Sequence, residues 1–218
     1  FMRLPVSIKV AFLGMLLATV MGLPLGVLSA VKQYSPADSF LRVASTVLVA
    51  MPTFWLAMLL ILVFALYLGW LPAGGALTWQ SYILPTITVG VPYGSKVLRM
   101  TRSTMLEEIR QDYVRTARSK GVPEKKVIYG HALKNALLPV ITTIGSAFGA
   151  ILGGSVIAES VFNLPGLGSL IVLSIKAKDT PSVLASVLLL AVFFALIMLI
   201  VDLVYAFIDP RIKAKYAK

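Results

Sequence analysis

Long apolar runs separated by short polar stretches set the pattern of this 218-residue chain. Five can be drawn, at roughly 6–31, 40–70, 82–100, 135–158 and 182–208. A helix rising 1.5 Å per residue needs about 20 residues to cross about 30 Å of hydrocarbon, and four runs have that length. Lys96, Arg99 and Arg102 invade the end of the third. Long basic side chains can snorkel to the headgroups, so this run is kept as a span. The pattern predicts an all-α fold, a polytopic transmembrane helical bundle with five spans in one domain over residues 1–218.

The one long polar passage, 107–139, lies between the third and fourth runs. Leu106, Ile109, Tyr113 and Ala117 recur at three- and four-residue steps, which places them on one helix face. Gly121 stops that helix, because glycine takes the left-handed cap without a side-chain clash. Pro123 suits the first turn of a second helix, and Glu124 follows where the dipole favours an acid. Two short helices bent about Gly121 are expected at a membrane surface.

Charge orients the chain. Ten of the twenty Lys and Arg residues lie between Lys96 and Lys134. If the polar passage is cytoplasmic, Lys32, Arg42, Arg211, Lys213, Lys215 and Lys218 join them on that side. Arg3, Lys9, Lys176 and Lys178 fall on the other. The positive-inside rule selects this orientation and puts Phe1 outside the cytoplasm. The first run is too long for a signal peptide and lacks a basic n-region. With no Met at position 1, the natural start is expected upstream.

Composition narrows the function. With 58% hydrophobic and 13% charged residues, an ordinary soluble enzyme is excluded. The net charge of +11 sits between apolar runs, as topology determinants do, rather than as a nucleic-acid footprint. There is no cysteine, hence no disulfide or thiolate site, and no metal-ligand set; the single histidine, His131, reads as a helix-end residue. GVPYGSK has the wrong spacing for a phosphate-binding loop, and no HExxH or GxSxG motif occurs. The chain is therefore read as non-enzymatic, with energy for any active transport supplied by another polypeptide. A secondary transporter, the alternative, needs ion ligands at mid-depth. Asp202, near the cytoplasmic end of the last run, reads instead as a salt-bridge partner, and Lys9 as a snorkelling residue.

RTARSKG (115–121) followed by HALKNALLP (131–139) resembles the cytoplasmic EAA coupling loop of ABC importer permeases, in the form of the dipeptide, oligopeptide and nickel branch. Thr116 stands where the general motif has Ala, Arg115 where it has Glu, and Gly121 and Pro139 are further apart than in the general motif. VFNLPGLG (161–168) is similar to the family's external loop and VDLVYAFIDPR (201–211) to its C-terminus, so the resemblance covers nearly the whole chain. It implies a type I importer permease fold, this chain being the core of a six-span subunit in the bacterial inner membrane. Implied partners are a second homologous permease, two cytoplasmic ATPase subunits and an external substrate-binding protein. No cofactor is expected in this chain; ATP and Mg belong to the ATPases. The coupling loop, 107–134, would dock the ATPase through Asp112, Tyr113, Arg115, Thr116, Ala117, Arg118, Gly121, Glu124 and Lys125, with Lys126 helping to orient it. The 112–128 helix pair would move as a rigid body.

The external segment 159–181 carries the turn signal Asn163-Leu164-Pro165-Gly166. Glu159, Phe162, Asn163, Pro165 and Gly166 are candidates for either a structural turn or a substrate gate. The shorter external loop, with Trp79 at the interface, reads as a connector. Small residues at four-step spacing (Gly22/Gly26, Gly90/Gly94, Gly145/Gly149/Gly153) suit close helix packing or a sliding interface. Prolines 52, 85, 92 and 139 are expected to bend or interrupt spans. Uncharged polar residues Thr86, Thr88, Tyr93, Thr142, Thr143 and Ser146 could line a wide, weakly selective passage that leaves selection to the binding protein; the resembled branch implies small peptides, with nickel chelates and glutathione-like compounds open as alternatives.

Overall fold

A backbone surrounded by hydrocarbon satisfies its N–H and C=O groups within its own helix, and the apolar runs are helical apart from breaks at 51–52 and 68–70. The structure, a computed structural model, describes residues 3–208 apart from the side chains of Asp202 and residues 204–208. Asp202's expected ion pair and the basic tail therefore lie outside the described residues. In chain order the helices are α1 (Leu4–Val31), α2 (Pro36–Ala50), α3 (Thr53–Leu60, continued by a π-helical stretch Ile61–Tyr67) and α4 (Ile83–Ile109). There follow α5 (Asp112–Ser119), α6 (Glu124–Lys126), α7 (Leu133–Val161), α8 (Leu167–Lys176) and α9 (Thr180–Ile208). No strand occurs among the described residues.

α1, α9 and a continuous 38-residue helix, Glu124–Val161, are long and apolar enough to cross a membrane. The run 40–70 is not one helix: α2 and α3 meet at 103°. Pro52 has no N–H to continue the ladder, and its ring holds Met51 extended at ψ 126°. The run 82–100 covers only the external part of α4, which continues to Ile109. α4 is central, packing along α1 on one side and α7 on the other. Glycine sets the α1–α4 distance, since a Cβ on Gly22 would stand 2.5 Å from the Gly94 carbonyl oxygen. Gly26 meets Leu98 and Thr101 of α4, and Gly90 meets Gly14 and Leu17 of α1, so only Gly22 and Gly94 face each other. Gly145 and Gly149 press on Val201 and Phe194 of α9, whereas Gly153 has open space.

Pro139 does not interrupt its helix. α6 runs through a π-helical stretch, Val127–Ala132, into α7, and Pro139 sits inside α7. Pro139 is exposed while Ala136 and Val140 beside it are buried. The missing hydrogen bond faces outward, and packing of the inner face holds the helix straight on. Pro92 is likewise contained within α4. Two clusters of buried side chains result. One fills the external half around Val10, Met15, Ile151, Leu152 and Phe162. The other fills the cytoplasmic end around Val27, Met105, Val114, Val127 and Ala136.

Candidate functional site

The cytoplasmic elbow joins α4 to the long helix. The single helix expected across 106–117 is broken at Arg110 and Gln111, so its apolar face is re-aimed. Val114 becomes the innermost residue, at 0% exposure, packed in the cytoplasmic cluster with Val27 and Ala30 of α1. Leu106, Ile109 and Ala117 pack at that cluster's edge. Tyr113 is 38% exposed and donates to Glu108 across the break at 2.5 Å. Desolvation, and then the Glu108 bond, push its phenol above the ordinary value.

Gly121 has φ +75°. Its N–H reaches the Arg118 carbonyl at 2.9 Å, and Val122 N–H reaches that of Ala117 at 3.2 Å, the paired bonds of a Schellman cap. A Cβ here would meet nothing within 4 Å, so backbone conformation, and not space within this chain, demands glycine. Pro123 is the N-cap of α6, one position before the expected first turn. Arg118 spans the turn to Glu124, with Nε–Oε2 at 3.1 Å and Nη2–Oε1 at 2.7 Å. This bond holds the Glu124 carboxyl below its ordinary value. Arg118 is thus engaged within its own chain, whereas Asp112, Arg115, Thr116, Lys125 and Lys126 are exposed on the elbow's outer side.

Sequence reasoning missed the clamp behind the elbow. Asp38, at 0% exposure, receives Nε and Nη2 of Arg102 at 2.7 and 2.9 Å, the Ser29 hydroxyl at 2.5 Å and Tyr34 N–H at 3.0 Å. A buried charge needs such complete pairing. The clamp joins α1, α2 and α4. The local signal was Asp38 three residues after Ser35, whose side chain caps α2; the 64-residue separation from Arg102 hid the rest.

At the external end α7 stops at Phe162, which is fully buried, and Asn163 takes φ +49°. Gly166 N–H bonds the Leu164 carbonyl at 2.8 Å, closing the expected turn. Glu159 is fully buried. Its carboxylate accepts from Ser169 N–H, in the first turn of α8, at 3.1 Å and from the Ser155 hydroxyl at 3.2 Å. It thereby satisfies an orphan donor at the N-terminus of α8. Gly75 N–H bonds the Phe162 carbonyl at 2.9 Å, and Leu167 N–H bonds Ser7 Oγ at 2.9 Å, tying the turn to the 71–78 loop and to α1. Asn163 and Pro165 are exposed and, with Arg3 and Lys176, line an external cavity of about 460 Å³.

Comparison with known proteins assigns this arrangement to a family. Residues 22–214 match the family described as binding-protein-dependent transport system inner membrane component. The chain belongs to this family. The glutathione transport system permease protein GsiC of Escherichia coli (strain K12) is 43% identical over 201 residues, 92% of this chain and 66% of that protein. The GsiC of Pectobacterium atrosepticum is 45% identical over 91% of this chain and 65% of its own length. The chain thus spans just under two thirds of these curated relatives. A solved inward-facing structure of the MetNI methionine ABC transporter shares the fold, with TM-score 0.76 and 18% identity over 94% of this chain and 93% of that one. An amino acid ABC transporter solved with histidines matches at TM-score 0.67 and 17% identity, covering 96% and 92%. Together with its apolar helices, family membership makes the chain a multi-pass inner-membrane protein.

In this inner-membrane component the candidate passage residues do not share one surface. Thr88 is fully buried and donates to the Leu84 carbonyl at 2.9 Å. Thr86 sits beside a groove between α1 and α4 together with Lys9, whose ammonium stands 4.8 Å from the Tyr82 ring centroid. Thr142 and Ser146 are exposed on α7, and Thr143 is half-buried there; all three hydroxyls donate to carbonyls of their own helix. Tyr93 of α4 joins the α7 group, its hydroxyl 3.9 Å from where a Cβ on Gly154 would stand. His131 lies in the π-helical stretch, half-buried.

Proposed function

We propose that this inner-membrane component is the transmembrane subunit of an ATP-driven importer. It passes small peptides or glutathione-like solutes, delivered by an external binding protein, into the cytoplasm. The observation that carries this reading is the elbow: an exposed turn, fixed by a Schellman cap and the Arg118–Glu124 pair, runs directly into the long helix. The chain itself is non-catalytic. Two cytoplasmic ATPase subunits bind ATP and Mg, and a second, homologous permease completes the passage. ATPase closure shifts α5 and the start of the long helix together, because cap and ion pair fix their angle. Val114 transmits the shift to α1, and the Asp38–Arg102 clamp extends it to α2 and α4. The passage then alternates between two packings. The name of the curated relatives, glutathione transport permeases, supports a peptide-like solute.

The test is reconstitution with the cognate ATPases and binding protein in vesicles. Uptake is expected to require both ATP and the binding protein. Exchanging the binding protein for a compatible relative should change what is imported. Uptake that follows an ion gradient without ATP would overturn the reading.

A further inference from the structure

Lys96 is the fourteenth residue of the 27-residue α4, the helix at the centre of the bundle. It stands at the midpoint of α4, roughly 20 Å of helix from either end. Snorkelling would carry its ammonium onward to the cytoplasmic headgroups. The ammonium instead lies over the Tyr93 ring, one turn back along α4, 4.6 Å from the centroid. Lys96 is exposed, and no carboxylate of the described residues pairs with it. The neighbouring surface is unlike a lipid face. The exposed line of α7 beside it is small or polar over Thr142, Ser146, Ala150 and Gly153, and reaches a large apolar residue only at Ile157. The exposed residues of α9, by contrast, include Leu184, Leu188, Val192, Leu199 and Leu203, as lipid contact requires. An unpaired ammonium at this depth is expensive in hydrocarbon and belongs in a water-filled or ligand-filled space.

We infer that Lys96, held by the Tyr93 ring, is a cationic station on the α4–α7 face that binds the carboxylate of an anionic solute during its passage. The inference rests on the importer reading and names its substrate class: solutes with a free carboxylate, such as peptide acids. The small α7 side chains leave room for a variable remainder, and the charge replaces the uncharged lining expected from sequence. Lys96 becomes a specificity-determining residue within the membrane.

Two measurements test this. The first is ATP-driven uptake of a dipeptide free acid and of its C-terminal amide by the complete importer, in wild type, K96Q and K96R. Losing a charged hydrogen bond should lower the acid-to-amide ratio about tenfold in K96Q, with K96R within about twofold of wild type. An unchanged ratio in K96Q overturns the inference. The second requires no transport and so remains decisive if the importer reading fails. The chain has no native cysteine, so Met100→Cys, one turn along the same exposed stripe, can be labelled alone with anionic and cationic thiol reagents. The anionic reagent should react about tenfold more slowly, relative to the cationic one, once K96Q is added. Failure of both reagents to react, or indifference to K96Q, places the face against lipid or protein and overturns the inference.

Discussion

The two helix reversals flanking the long helix solve one problem in opposite ways. Each must satisfy backbone groups freed where helices end. The cytoplasmic elbow does so with its own backbone, through the Gly121 cap, while an exposed ion pair spans the turn. The external turn does so with a fully buried carboxylate, Glu159, and with bonds to two other parts of the chain. The elbow keeps its shape with its outer side exposed, whereas the external turn is welded to the bundle. A self-contained shape suits a surface offered to another body, and a welded one suits an anchor.

Substitutions can break this contrast, and the largest effect belongs to the anchor. Glu159→Ala leaves the Ser169 N–H and Ser155 hydroxyl without their partner and opens a void. The expected loss is about 3 kcal/mol, read as a fall in membrane abundance and in thermal stability of the purified protein. Wild-type stability would show that the turn is not welded. Next comes Gly121→Trp. The left-handed backbone costs about 1–2 kcal/mol, but the side chain leaves the elbow into open space. The protein should insert near normally while uptake per inserted molecule falls. Full uptake would remove the elbow from coupling. The smallest effect is expected for Arg118→Ala, within about 1 kcal/mol for an exposed pair. Because Glu124 is depressed in the folded protein, the pair's contribution is present at neutral pH and is lost as pH falls through the carboxylate range. Thermal melts of wild type and variant should therefore converge in acid, and a gap that persists there would assign Arg118 another role.

The long apolar helices and the Gly121 cap were legible because hydropathy and a positive φ leave local traces. Glu159 and Lys96 were visible as residues but not in their settings. Burial of the first depends on α8 folding back onto α7, and the direction of the second on a ring three residues earlier. Asp38 and Arg102 meet only because α2 and α4 pack, a tertiary fact with no short-range pattern. Val114 was overlooked because the break at Arg110–Gln111 shifts the helical phase by an amount no periodicity predicts. Pro139 misled in the other direction, since a helix buried on one side tolerates a proline on the other.

The unbroken helix Glu124–Val161 also has a mechanical meaning. Its 38 residues make a rod about 57 Å long, beginning in the elbow and ending in the external turn. A rod needs no relay of switching side chains. Tilting it by about 10° about one end sweeps the other through about 10 Å at that length. The π-helical stretch Val127–Ala132 lies at its cytoplasmic end, with Val127, Ile128 and Ala132 packed into the cytoplasmic cluster. With the external turn tied to α1 and α8, the rod pivots there, so a stroke of the elbow tapers to little at the opposite face of the membrane.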